Sequence, residues 1–131
     1  HIAYCFTEKK GFSKFGIYKG RGSQSANNKY TFTYCGFTPA FVLVKNTQQG
    51  TDNWFTWDNK RPGYNQIQKY LSSNNNNAEA DSSSYAIDFL SNGFRLRSAT
   101  GAINNNNENI IFMAFAAHPI VGSNKVPAVG Q

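Results

Sequence analysis

Apolar and polar positions alternate with a period of two through most of the chain. The fullest case is the stretch at 37–65, where Phe41, Leu43 and Lys45 alternate with Val42 and Val44 behind a Thr38-Pro39 break. A polar connection then leads to Trp54, Phe55 and Trp57. Period two is the repeat of an extended strand, whose successive side chains point to opposite faces. The stretch predicts a buried strand, a loop and an aromatic strand. Its far end, at 58–65, carries charge, a Pro-Gly turn and Tyr64. A scaffold strand that runs into a polar, aromatic loop is where binding surfaces are commonly built.

The same alternation recurs from the start. Ile2, Tyr4 and Phe6 against Ala3, Cys5 and Thr7 predict an opening strand buried on both faces, ended by Lys9-Lys10-Gly11. A second run places Phe15 and Ile17 on one side and Lys14, Gly16 and Tyr18 on the other, and a glycine-rich break and a polar loop follow it. Tyr30, Phe32 and Tyr34, separated by Thr31 and Thr33, form a clean strand pattern in residues suited to a pleated surface. Residues 67–71 fit either a strand or one helical turn. Residues 72–84, with four asparagines and a serine run, read as a long surface loop.

Tyr85, Ile87 and Phe89 resume the pattern, and Phe94 and Leu96 continue it beyond Ser91-Asn92-Gly93. Asn-Gly between two alternating runs predicts a hairpin with a primed turn, in which both residues take positive φ. Arg95 and Arg97 then share an outer face. The run IIFMAFAA at 110–117 is apolar on both faces and is short, bounded by polar residues and by His118-Pro119, so it predicts a central strand. Residues 120–131 contain two glycines and a proline and are expected to be extended. No sustained helical stripe appears. The sum is an all-β chain, an antiparallel, jelly-roll-like β-sandwich of about 8 to 10 short strands.

Composition narrows the chemistry. The 131 residues suit one domain with one core. Charged residues make up only 15%, against roughly 25% in an average globular chain, while aromatics reach 15%. Contacts are thus expected to rest on aromatic burial and amides. The formal charge of +6 is concentrated early, at Lys9, Lys10, Lys14, Lys19, Arg21 and Lys29 against Glu8. No nucleic-acid motif accompanies it, and it reads as a solvated basic face. No apolar run reaches the length of a membrane-spanning helix. Because the chain starts at His1 inside an alternating run, it is expected to have been cut from a longer polypeptide.

Catalytic signatures are sparse. Gly20 and Gly22 follow a strand but lack the third glycine, helix and acid of a dinucleotide fingerprint. His1 and His118 have no nucleophile signature beside them. Asp52, Asp58, Asp88 and Glu108 are the acids that a glycosidase would need to hold about 5 to 9.5 Å apart across a cleft. The asparagine-rich loops offer hard oxygen atoms but not the spacing of a calcium loop. Cys5 and Cys35 are expected as two buried free thiols, with a disulfide as the alternative. No catalytic residue, metal or cofactor is expected. The better candidate is a contact surface. Flat aromatic rings with fixed amide and hydroxyl partners suit carbohydrate recognition, which nominates Trp54, Asp58, Asn59, Arg61, Tyr64 and Asn65. Alternation puts Phe55 and Trp57 in the core and Trp54 outside or at a subunit contact.

Seven words in order carry a resemblance: IAYCF, GFSKFGIYKGRGS, GFTPAFVLVKN, DNWFTWDNKRPGYN, DFLSNGFRLR, IIFMAFAAHP and VGSNKVPA. Together they cover most of the chain and resemble a domain found near the C-termini of tail-fibre and other virion structural proteins of tailed bacteriophages. The resemblance implies an all-β accessory domain, often placed after a laminin-G-like or concanavalin-like module, with no catalytic residues to carry over. It implies a virion location, other virion proteins as neighbours, and a homo-oligomer, with a trimer suiting a fibre. Host cell-surface polysaccharide is the expected ligand, met by weak contacts multiplied over the oligomer. An assembly module without a ligand is the alternative, and a polysaccharide depolymerase a third. Neither nucleic acid nor membrane insertion is expected.

Overall fold

The computed structural model describes residues 1–22, 30–61 and 64–119. Within them the chain forms an all-β antiparallel sandwich of two sheets. The larger sheet contains β1 (Ser13–Lys19), β3 (Pro39–Asn46), β4 (Phe55–Asp58), β5 (Lys69–Ser72), β6 (Ala80–Asp81) and β9 (Asn109–Ala116), ordered β1-β9-β3-β4-β5-β6. The smaller contains β2 (Thr31–Tyr34), β7 (Ile87–Leu90) and β8 (Gly93–Leu96), ordered β2-β8-β7.

Register explains the core. Phe112 of β9 stands opposite Gly16 of β1 and Val44 of β3, and Val44 stands opposite Phe55 of β4. One face of the sheet therefore carries Tyr18, Ile110, Phe112, Ala114, Val42, Val44, Phe55 and Trp57, all buried. It packs on the inward residues of the smaller sheet, Ile87, Phe89, Phe94 and Leu96. The apolar run at 110–117 is the strand between β1 and β3, as its two-faced pattern predicts.

Two polar residues are buried within this core and tie connections to it. Asn104 closes a one-turn helix, α1 (Gly101–Asn104), that the sequence did not announce. Its amide donates to the Ser98 carbonyl at 2.6 Å and its oxygen accepts from the Thr31 hydroxyl at 2.7 Å and the Arg21 N–H at 2.9 Å. Asn46 donates to Glu108 at 2.6 Å and to the Gly101 carbonyl at 3.0 Å. The first asparagine of the 104–107 run is thus an internal fastener, where composition suggested a solvated loop.

Other expectations are corrected. Residues 2–7 form no strand: Ile2 and Tyr4 are exposed, and Phe6 packs only its ring against Phe15 and Phe115. The chain turns back along β1 through Gly11 (φ 72°), but the Glu8 carboxylate, paired with Lys14 at 2.7 Å, sits where a strand would pair. Alternation supplied two apolar faces, and the fold supplied no second layer to cover them. Cys5 is accordingly exposed, while Cys35 is buried, and both thiols are free. The β7–β8 hairpin exists, but Leu90 pairs with Gly93, so the turn residues are Ser91 and Asn92, and neither they nor Gly93 has a positive φ. A primed turn is excluded.

The 72–84 stretch is not all loop, since it holds β6 and the start of a 3-10 turn, Ser83–Tyr85, which removes Tyr85 from the strand predicted there. Residues 67–71 resolve as strand: Ile67 bridges Ile87, and β5 follows. The extended tail expected at 120–131, the Pro-Gly turn at 62–63 and the polar loop at 23–28 lie outside the described residues.

Candidate functional site

The six nominated residues sit around β4 but in three separate environments. Even-numbered positions of this strand point away from the core, so Trp54, Thr56 and Asp58 share the outer face of the larger sheet while Phe55 and Trp57 go inside, as alternation predicts. Trp57 is fully buried and its indole donates to the Tyr85 carbonyl at 3.0 Å. Trp54 is 39% exposed. It borders a shallow apolar depression of about 520 Å³ with Phe6, Ile17, Leu43, Ile111 and Met113.

Asp58 lies four residues further along, roughly 13 Å at the rise of an extended strand, and its surroundings are ionic. Its Oδ2 accepts from Arg61 Nε at 2.7 Å, and its Oδ1 accepts from the Lys60 N–H at 2.9 Å. Arg61 also pairs with Glu79, which Lys69 approaches at 3.1 Å. Hydrogen bonds from Arg61 and then Lys69 hold the Glu79 carboxyl below its ordinary range. Glu79 and then Asp58 raise the Arg61 guanidinium in turn. A chain of alternating charges of this kind organises a surface and leaves little unneutralised charge for a ligand.

Asn59, Tyr64 and Asn65 are brought together at one margin of the sandwich, in a groove of about 270 Å³ completed by Thr38, Pro39, Ile67 and Phe89. The Asn65 amide is already employed. It donates to the Phe89 carbonyl at 2.7 Å and accepts from the Phe89 N–H at 2.9 Å, so it pairs with the open edge of β7 as a strand residue would. Tyr64, 88% exposed, is the free aromatic of the group.

The four acids weighed for hydrolysis occupy different settings. Asp58 is in the ionic chain, and Glu108 is held below its ordinary range by the Asn46 amide first and by Gln49 next. Asp88 is buried at 1% exposure beneath Arg95 and Arg97 on the smaller sheet. Asp52 precedes Trp54 and keeps one buried oxygen without a partner. Among the described residues no group of three or more His, Cys, Asp or Glu side chains converges as a metal site would require. His118 is exposed beyond β9.

Sequence reasoning missed one surface. On β2 the threonines face inward, at 4% and 7% exposure, while Phe32 and Tyr34 are 45% and 64% exposed. The period-two signal was legible, but hydrophobicity alone assigns the opposite faces. Pairing of β2 with β8 sets Phe32 opposite Arg95, and both Arg95 and Arg97 lie over the Tyr30 ring, at 5.5 and 5.8 Å from its centroid.

Comparison with curated proteins finds no match, and comparison with solved structures finds none. Residues 1–119 match a family model described as a domain of unknown function, DUF7483. With nine-tenths of its length accounted for in this way, the chain belongs to the DUF7483 family.

Proposed function

We propose that this domain is a non-catalytic module of a tailed-bacteriophage tail fibre or related virion appendage, acting by contact: it assembles with copies of itself and meets host-surface glycan. The observation that carries the reading is the outer face of the larger sheet. Ile17, 64% exposed, lies beside Phe15, Leu43, Trp54, Ile111 and Met113, and no described residue beyond Phe6 is laid over them. An apolar sheet face of this extent is characteristic of a surface that is covered in an assembly. The word-by-word likeness to virion domains supports the setting, and the basic, charge-poor composition suits a surface that adheres by hydrogen bonds.

Light scattering coupled to size-exclusion chromatography tests this. The parent domain is expected as an oligomer and Ile17→Asp or Trp54→Arg as a folded monomer. A monomeric parent at high micromolar concentration, showing no polysaccharide retention either, ends the reading. The Tyr64 groove is the second place where glycan contact is expected, because Tyr64 is the most exposed ring beside a concave surface.

A further inference from the structure

We infer that the outer face of the smaller sheet is a polysaccharide-binding platform, built from Phe32 and Tyr34 with Tyr30, Arg95 and Arg97, and suited to a chain bearing carboxylates. The inference builds on the reading of the domain as a glycan-contacting module but rests neither on the Tyr64 groove nor on self-assembly. It begins from an inversion. A strand of sequence YTFTY buries its aromatics by default, since each ring offers 150–250 Å² of apolar area. Here Thr31 takes the interior, because its hydroxyl donates to the buried Asn104 oxygen at 2.7 Å and a phenyl group has no such donor, and Thr33 follows it by strand period although its own buried hydroxyl has no partner. One polar bond inside fixes which side chains stand outside.

Two of those rings stand close to glycines. A Cβ added to Gly93 would come within 3.1 Å of the Phe32 ring tip, and one added to Gly36 would come within 3.4 Å of the Tyr34 hydroxyl. Each glycine therefore leaves room for a ring tip, and Phe32 and Tyr34 keep 45% and 64% of their surface exposed. Phe32 and Tyr34 are alternate residues of β2 and stand roughly 7 Å apart, while the Tyr30 ring lies beneath the two guanidiniums. The result is a pair of exposed aromatic rings, the feature that the C–H surfaces of successive sugar rings require.

The polar partners are fixed as well. The Asp88 Oδ2 accepts from Arg95 Nε at 3.1 Å, Arg95 Nη2 at 2.6 Å and Arg97 Nε at 2.6 Å. Each guanidinium keeps further N–H donors without a partner among the described residues. A planar fork pinned at its base loses little freedom when it donates to a ligand carboxylate. Two guanidiniums on one carboxylate give the described residues of β7 and β8 and the adjoining Arg97 a single net positive charge, which complements a sparsely acidic glycan. A phosphate backbone draws its affinity from many such charges, so nucleic acid fits the face less well.

Affinity electrophoresis of the parent domain in gels containing alginate, a uronate polymer, provides the test, with oligothymidylate as a competing probe. Retardation by alginate is expected. Tyr34→Leu and Phe32→Leu, which keep apolar bulk and remove the ring, are expected to weaken it about tenfold each, the usual worth of one stacked aromatic. Arg97→Lys, which keeps the charge and removes the fork, is expected to weaken it too, and Gly50→Ala, where an added Cβ meets nothing within 4 Å, to leave it unchanged. Circular dichroism confirms that each variant is folded. Retardation lost in Tyr64→Ala but intact in both leucine variants overturns the platform while leaving glycan recognition standing. A parent that alginate does not retard overturns both, and ring-dependent binding of oligothymidylate in place of alginate reassigns the face to nucleic acid.

Discussion

Arg95 donates to Asp88 across the β7–β8 hairpin at 2.6 Å, and the acceptor is a carboxylate only 1% exposed. Because Arg97 reaches the same oxygen, the buried charge is compensated twice, while the second oxygen of Asp88 has no partner. Removing one arginine leaves a pair, and removing both leaves an uncompensated buried anion. Arg95→Ala with Arg97→Ala is therefore expected to cost about 3–5 kcal/mol, and each single change distinctly less. Adding Asp88→Asn to the double variant is expected to restore part of the loss. Urea unfolding of the parent and the four variants measures both effects. Equal costs for the single and double variants would contradict the shared role.

Gly93 makes a sharper steric prediction. Its strand is held so close to β2 that a Cβ there would stand 2.1 Å from the Thr33 carbonyl oxygen, which is backbone and has no room to turn aside. Gly93→Ala is expected to destabilise by about 1–3 kcal/mol or more, as overpacking does. Gly50→Ala, where an added Cβ meets nothing within 4 Å, serves as the neutral comparison. Thermal unfolding separates the two.

The cysteines differ in environment and should differ in reactivity. Burial pushes the Cys35 thiol up to about 12, with Lys14 opposing weakly, so almost none of it is thiolate near neutral pH. Cys5 is exposed. Iodoacetamide at pH 8 is expected to modify Cys5 and spare Cys35 in the folded domain, with both modified in urea. Peptide mass spectrometry reads the outcome.

Acid should loosen the surface networks in a definite direction. Glu79, Glu108 and Glu8 all have folded values below their ordinary range, held there by Arg61, by Asn46 and by Lys14 respectively. A depressed carboxyl contributes stability above its unfolded value, near 4.3, and loses it as pH falls through the lower folded value. The thermal midpoint is expected to hold near neutrality and drop below about pH 4. Glu79→Gln should lower the neutral midpoint and flatten that acid limb. An unchanged slope in calorimetry would remove Glu79 from the explanation.

Much of this architecture was legible in one dimension because a strand writes its two faces into alternate residues. Phe55 and Trp57 were placed inside and Trp54 outside or at a subunit contact on that ground, and the central position of the 110–117 run followed from its being short, bounded by polar residues and apolar on both sides. Turn chemistry was less faithful. The Ser91-Asn92 turn falls one residue earlier than Asn-Gly suggested, and Gly93 serves a close strand approach instead of a positive φ.

What the sequence determined by itself was the class of fold, the number of faces and the membership of most of the core, since these depend on local period and side-chain apolarity. Tertiary structure decided which face is covered wherever alternation left the choice open. Alternation is silent about what lies above it, so Ile2 and Tyr4 remained outside, Asn104 moved inside, and the rings of β2 were turned to solvent by a hydroxyl bound 73 residues away. The same limit governed the candidate site. Neighbours along the chain, Trp54 and Asp58, were parted by the length of a strand, and Tyr30 was joined to Arg95 and Arg97 only through the pairing of β2 with β8.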